Sequence, residues 1–227
     1  MNVIETAIDG VFIIEPRIFK DARGYFFESY SQREFDEKVT TQLTTRFVQD
    51  NESKSTYGVI RGLHFQRPPY SQSKLVRCVQ GAVLDVVVDI RKGSPTYGQH
   101  VVCLLCGHDE EGIRIAEKYK ESVALPKQGG LEGLLGLQFF IPKGMAHGFA
   151  VLSDTAVFQY KCDEFYHPEA EGGISIFSKS SLAGSLPTTR EQEGATIDWH
   201  VPTDHAILSE KDTKHPLLSD FDSPFTY

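Results

Sequence analysis

The 227-residue chain reads as an all-β protein, a sandwich or barrel with a few short helices. Three observations predict this. Apolar runs are short and closely spaced. One of them, residues 83–90, alternates with period two. Helix signals are confined to two places.

Taken in order, residues 11–14 form an apolar run closed by Pro16. An Asp21-x-Arg23-Gly24 turn precedes Tyr25-Phe26-Phe27. Residues 31–39 suit a short helix with Ser31 as its N-cap. In residues 83–90, Leu84, Val86, Val88 and Ile90 fall on one face and Asp85 and Asp89 on the other, which predicts a half-buried strand. Arg91-Lys92-Gly93-Ser94-Pro95 reads as a turn. Residues 109–121 are charged enough for an exposed helix. The glycine-rich residues 129–136 lack the Gly-Lys-Ser/Thr of a phosphate loop and read as a connection. Residues 139–141, 148–152 and 156–162 continue the strands. No linker divides the chain, so a single domain over 1–227 is expected.

Composition narrows the function. Hydrophobic residues make up 40% and charged residues 24%, as in ordinary globular proteins. The longest apolar runs are too short to span a bilayer, so no membrane partner is expected. The first residues show no basic stretch leading into an apolar one, and a cytoplasmic location is expected. The net charge of −8 argues against a nucleic-acid partner but not against a small anion held by a few focused cations. Of the cysteines, Cys103 and Cys106 form a C-x-x-C near His108, but no second pair accompanies them. Cys78, Cys103, Cys106 and Cys162 are therefore expected as buried thiols.

The polar residues that could carry chemistry cluster in blocks: Phe47-Val48-Gln49-Asp50-Asn51, Arg61-Gly62-Leu63-His64-Phe65-Gln66, Lys74-Leu75-Val76-Arg77, Asp85 to Arg91, and Ala146-His147-Gly148-Phe149. Tyr160 and Lys211-Asp212 follow. His64 suits a base, because imidazole titrates near neutral pH; its bland reading is a core histidine. Tyr160 shares its strand's apolar face with Ala156, Phe158 and Cys162, so it points inward; its bland reading is a core tyrosine. Strict alternation sets Arg61 and His64 on opposite faces. Both reach one site only if Gly62 marks a bulge, or if one of them serves a neighbouring subunit.

In these ordered blocks, from the Asp21 turn to Asp212, the chain resembles the dTDP-4-dehydrorhamnose 3,5-epimerases, which are cupin-type jelly-roll barrels. The resemblance implies 3,5-epimerisation of a dTDP-linked 4-keto-6-deoxy sugar, dTDP-4-dehydro-6-deoxy-glucose, by a homodimer without a cofactor. It implies His64 as base, Asp212 as its partner, Tyr160 as acid and Lys74 beside the enolate oxygen. It also implies a nucleotide pocket of Arg23, Glu28, Gln49, Asp50, Asn51, Arg61, His147, Tyr166, Glu171 and Lys211, with Tyr166 stacked on the base. Pro142-x-Gly144-x-x-His147 matches the second cupin motif, but the His-x-His of the first is broken by Gly62, so no metal is expected. An epimerase acting at one carbon, a non-catalytic sugar-nucleotide binder and a metal cupin oxygenase are the alternatives. Residues 104–137 and 176–196 are longer than the family pattern and read as insertions, the first as a surface excursion outside every chemical motif.

Overall fold

A computed structural model describes residues 1–39, 45–120, 131–183 and 195–227. The all-β jelly-roll expectation holds: two six-stranded sheets carry the fold. The first runs in the order Asn2–Glu5, Phe12–Glu15, Gln138–Ile141, Lys74–Gln80, Thr155–Cys162, Gln49–Thr56. The second runs Glu171–Gly173, Ile60–Gln66, Met145–Val151, Ala82–Asp89, Gln99–Cys106, Ser181–Leu182. A separate hairpin, Phe19–Asp21 with Gly24–Phe26, stands exposed.

Three apolar layers hold these sheets. Between them lie Val76, Phe139 and Phe158 from the first and Val83, Val87, Phe149 and Val151 from the second. The outer face of the second sheet buries Leu84, Val86, Val88 and Ile90 beneath Ile115, Ala116 and Trp199. The outer face of the first buries Phe12, Ile14 and Phe140 beneath Phe35 and Val39. Apolar area removed from water on both faces of each sheet is the main stabilising term.

The helices follow from local signals. α1, Gln32–Lys38, begins where the Ser31 side chain accepts a bond from the Glu34 amide, as the sequence implies, and it buries Phe35. α2, Glu110–Tyr119, carries acidic residues in its first turn, which suits the helix dipole. Asp109 does not cap it; its Oδ1 accepts from the Gly81 amide at 2.8 Å instead. All four cysteines are free and buried.

Two expectations need correction. The strand Ala82–Asp89 is not half-buried: every residue in it is buried. Its polar face looks into the space between the sheets, where Asp85 and Asp89 find bonding partners that alternation alone does not reveal. Nor are residues 104–137 a surface excursion throughout. Leu104, Leu105 and Cys106 complete a core strand, and α2 packs Ile115 and Ala116 onto it. Residues 121–130 of that segment, and 184–194 of the other expected insertion, lie outside the described residues.

The geometry of Gly62 settles the Arg61–His64 conflict. Pairing between Ile60–Gln66 and Met145–Val151 runs His147 to His64 but Phe149 to Arg61, with a register shift between them. One residue is thus looped out, and both side chains reach the same side. Gly62 has φ +145, and a Cβ there would lie 2.6 Å from the Gly148 Cα. Only glycine satisfies both conditions. Gly62→Ala is therefore expected to cost about 1–3 kcal/mol in backbone conformation alone, with further loss from the contact. Urea unfolding of the variant checks this, and stability within error of wild type would refute the constraint.

Candidate active site

The bulge delivers His64 to a cavity of about 500 Å³ that is also lined by Arg61, Lys74, His147, Tyr160 and Asp212. A second hollow of about 290 Å³ shares His64, Lys74 and Tyr160, and adds Gln49, Asn51, Tyr166 and Glu171. The three shared residues stand where the hollows meet.

Each arrives from a different element. Lys74 opens its strand opposite Cys162 and Ile141. Tyr160 sits between Asn51 and Val76 on neighbouring strands, on the inward face as alternation requires. Asp212 comes from the C-terminal segment, 148 residues after His64. That segment is tied to the second sheet by bonds from the Ile60 amide to the Ile207 carbonyl, 3.0 Å, and from the Ile207 amide to the Gly58 carbonyl, 2.9 Å. The Asp212 amide then turns back onto Ser209.

His64 Nε2 lies 2.5 Å from Asp212 Oδ1. Burial pushes the Asp212 carboxyl up, but the hydrogen bond and charge of His64 outweigh it and hold the group below its ordinary 3.8. A carboxylate there accepts the Nε2 proton and leaves the lone pair on Nδ1. Burial pulls the Lys74 ammonium below its usual range, and no carboxylate pairs with it among the described residues. Burial raises the Tyr160 phenol, keeping it protonated at neutral pH.

Beside this group sits a second histidine–carboxylate pair. His147 Nε2 lies 2.9 Å from Asp85 Oδ2, with the carboxylate wholly buried. Here burial dominates: it lowers His147 and raises Asp85, opposing charge on both. The expected site residues included His147 but not Asp85, although Asp85 lies in one of the ordered sequence blocks; its pairing follows from a strand that the structure buries on both faces.

The remaining expected residues divide by strand face. Gln49 and Asn51 bond each other at 3.0 Å and line the smaller hollow. The Tyr166 hydroxyl donates to Glu171 Oε2 at 2.7 Å, and Glu171 also pairs with Lys211. Burial pushes the Glu171 carboxyl up, but Lys211 and Tyr166 prevail and hold it below its ordinary range. Arg61 donates to Ser55 Oγ at 3.1 and 3.2 Å. Three residues are not brought here. Asp50 points to the outer face, bonded to Lys161 at 2.7 Å, since it alternates with Gln49 and Asn51. Arg23 is exposed on the hairpin and paired with Asp21, and Glu28 is exposed and lines neither hollow.

An imidazole oriented by a carboxylate, an unpaired ammonium and a protonated phenol around one cavity define an enzyme of proton-transfer class, built on a jelly roll. A family model described as dTDP-4-dehydrorhamnose 3,5-epimerase matches residues 5–125 and 131–220. An enzyme of that name from Shigella flexneri is 42% identical over 98% of both chains. One from Methanothermobacter thermautotrophicus is 41% identical over 92% of this chain and 90% of its own. Among solved structures, the dTDP-6-deoxy-D-glucose-3,5-epimerase of Legionella pneumophila, in complex with dTDP-4-keto-L-rhamnose, is 41% identical, covers 97% of this chain and 94% of its own, and superposes with TM-score 0.73. The chain belongs to the dTDP-4-dehydrorhamnose 3,5-epimerase family.

The Asp212 carboxyl has a sign that can be checked. Its value is lowered on folding, so its contribution to stability is complete above pH 3.8 and is lost as pH falls beneath that toward the folded value. Asp212→Asn is expected to be less stable than wild type at neutral pH, by about 1.5–3 kcal/mol for a charge-assisted bond. The deficit should shrink below pH 3.8. Urea unfolding of both proteins across pH measures it; a deficit independent of pH would show that the carboxylate charge plays no part.

Proposed function

We propose that this chain epimerises C3 and C5 of dTDP-4-dehydro-6-deoxy-glucose, giving dTDP-4-dehydro-rhamnose. The observation that carries the reading is the His64–Asp212 pair facing Lys74 and Tyr160 across one cavity. A ketone at C4 makes the hydrogens on C3 and C5 acidic, because loss of either gives an enolate. His64 takes the proton on Nδ1, and Asp212 stabilises the imidazolium through Nε2–H. The electron pair left on carbon moves to the C4 oxygen, where the Lys74 ammonium offsets the charge. Tyr160 donates its proton to the same carbon from the opposite face, and the ketone reforms with that carbon inverted. Reprotonation of the phenol and deprotonation of the imidazolium then allow the second carbon to follow.

Arg61 and Lys211 supply cations for a diphosphate, Arg61 with the forked geometry that suits phosphate oxygens. Tyr166 offers a half-exposed ring for stacking on thymine. Gln49, Asn51, Glu171 and His147 supply polar contacts. Arg23 and Glu28 fit this reading through a second copy of the chain, so the functional unit is taken as a homodimer, working in the cytoplasm.

His64→Asn keeps hydrogen bonding but cannot take a proton at neutral pH. It is expected to lose both epimerisation and solvent exchange at C3 and C5. Incubation with the dTDP-linked keto sugar in deuterated water, followed by NMR, reads both; near-normal exchange would assign the base elsewhere. Tyr160→Phe removes the donor and leaves the base. It is expected to wash deuterium into the sugar without inverting carbon, and efficient inversion would return Tyr160 to a packing role. In the wild type, label at one carbon only would identify a single-carbon epimerase.

A further inference from the structure

His215 stands beside the proposed dyad and has no part in the reaction described above. Its Nε2 is buried and bonded to nothing in the structure. That atom lies 3.7 Å from Asp212 Oδ1, the same oxygen that binds His64. The His64 and His215 rings meet edge to face with centroids 5.7 Å apart. A side chain at position 173 would collide with His215: a Cβ there would fall 2.5 Å from Nε2. Glycine therefore leaves the room in which this imidazole sits.

A buried nitrogen without a partner is costly. One nitrogen from each of His64 and His215 and one oxygen of Asp212 all lie within 4.8 Å of one another. Zinc bonds to imidazole nitrogen and carboxylate oxygen are about 2.0–2.2 Å long. Tetrahedral geometry with such bonds places ligand atoms roughly 3.3–3.5 Å apart. The 2.5 Å pair must open and the 3.7 Å pair close, each by less than about 1 Å. Two imidazoles and one carboxylate favour a transition metal over magnesium or calcium, which prefer all-oxygen shells.

We propose that His64, Asp212 and His215 form a site for a divalent transition-metal ion such as Zn²⁺, and that the bound ion switches the enzyme off. The ion takes the Nε2 lone pair of His64. The ring proton then resides on Nδ1, and the nitrogen that serves as base is occupied. The ion acts as an inhibitor and takes no part in the reaction described above. The inhibitory half rests on the proposed role of His64; binding does not.

The test is calorimetric titration of ZnCl₂ into metal-free wild type, His215→Gln and His64→Asn, paired with turnover assays. Wild type is expected to bind one ion per chain that both variants bind at least tenfold more weakly. Zn²⁺ should inhibit wild type, EDTA should restore it, and His215→Gln should keep its basal turnover in EDTA while needing at least tenfold more Zn²⁺ for the same inhibition. Identical titrations for all three proteins would overturn the site. Equal Zn²⁺ inhibition of wild type and His215→Gln would overturn the switch. A wild type without epimerase turnover would defeat the functional reading, and the titrations alone would still decide the site.

Discussion

The contact between Gly62 and Gly148 is the constraint on which the rest of the site depends. Two strand backbones approach so closely that neither position admits a Cβ without a clash: the Gly62 Cβ would meet Gly148 Cα, and the Gly148 Cβ would meet the Arg61 carbonyl at 2.7 Å. The approach forces the register shift between Ile60–Gln66 and Met145–Val151. That shift turns Arg61 and His64 to one side and sets His64 directly across from His147. Without it, the strand would send Arg61 and His64 to opposite faces.

Two histidine–carboxylate pairs face each other across that register and differ in their surroundings. His147 and Asp85 lie inside the sandwich, where burial works against charge on either. His64 and Asp212 lie at the cavity, where the aspartate keeps its negative charge. The same two residue types thus give a wholly buried polar contact in one place and an imidazole oriented at a cavity in the other. Depth decides which, because desolvation outweighs pairing in the first and not in the second. Lys74 and Tyr160 complete the division: one carries an ammonium that burial makes more willing to share its proton, the other a phenol that burial keeps protonated.

The C-terminal segment turns a lined cavity into an assembled site. It hooks onto the sheet at Ile207, reverses at Ser209 and presents Asp212 and His215 from one short turn. Its hold is a few backbone bonds and the contacts of Leu208 and Ala206 with the apolar layer. A carboxylate placed in this way governs which nitrogen of His64 is basic, and a neighbouring imidazole gives that carboxylate a second possible partner. Orientation of the His64 ring and the approach of His215 to the same carboxylate oxygen are therefore two consequences of one local geometry.

The sequence by itself determined the strand-rich architecture, the Ser31 cap, the inward face of Tyr160 and the ordered blocks that mark the family. These are local properties: period-two patterning, capping chemistry and motif order are written in neighbouring residues. It also posed the conflict between Arg61 and His64 without resolving it. Tertiary structure resolved that conflict through a backbone approach that no local pattern encodes. It also decided that Ala82–Asp89 is buried on both faces, that α2 packs one face onto the core, that Asp85 partners His147, and that Asp50 turns away from its neighbours' cavity. His215 was invisible beforehand for the same reason. Its surroundings are made by Gly173, Asp212 and His64, and only the close packing of separate strands and a late turn brings those residues within reach of one another.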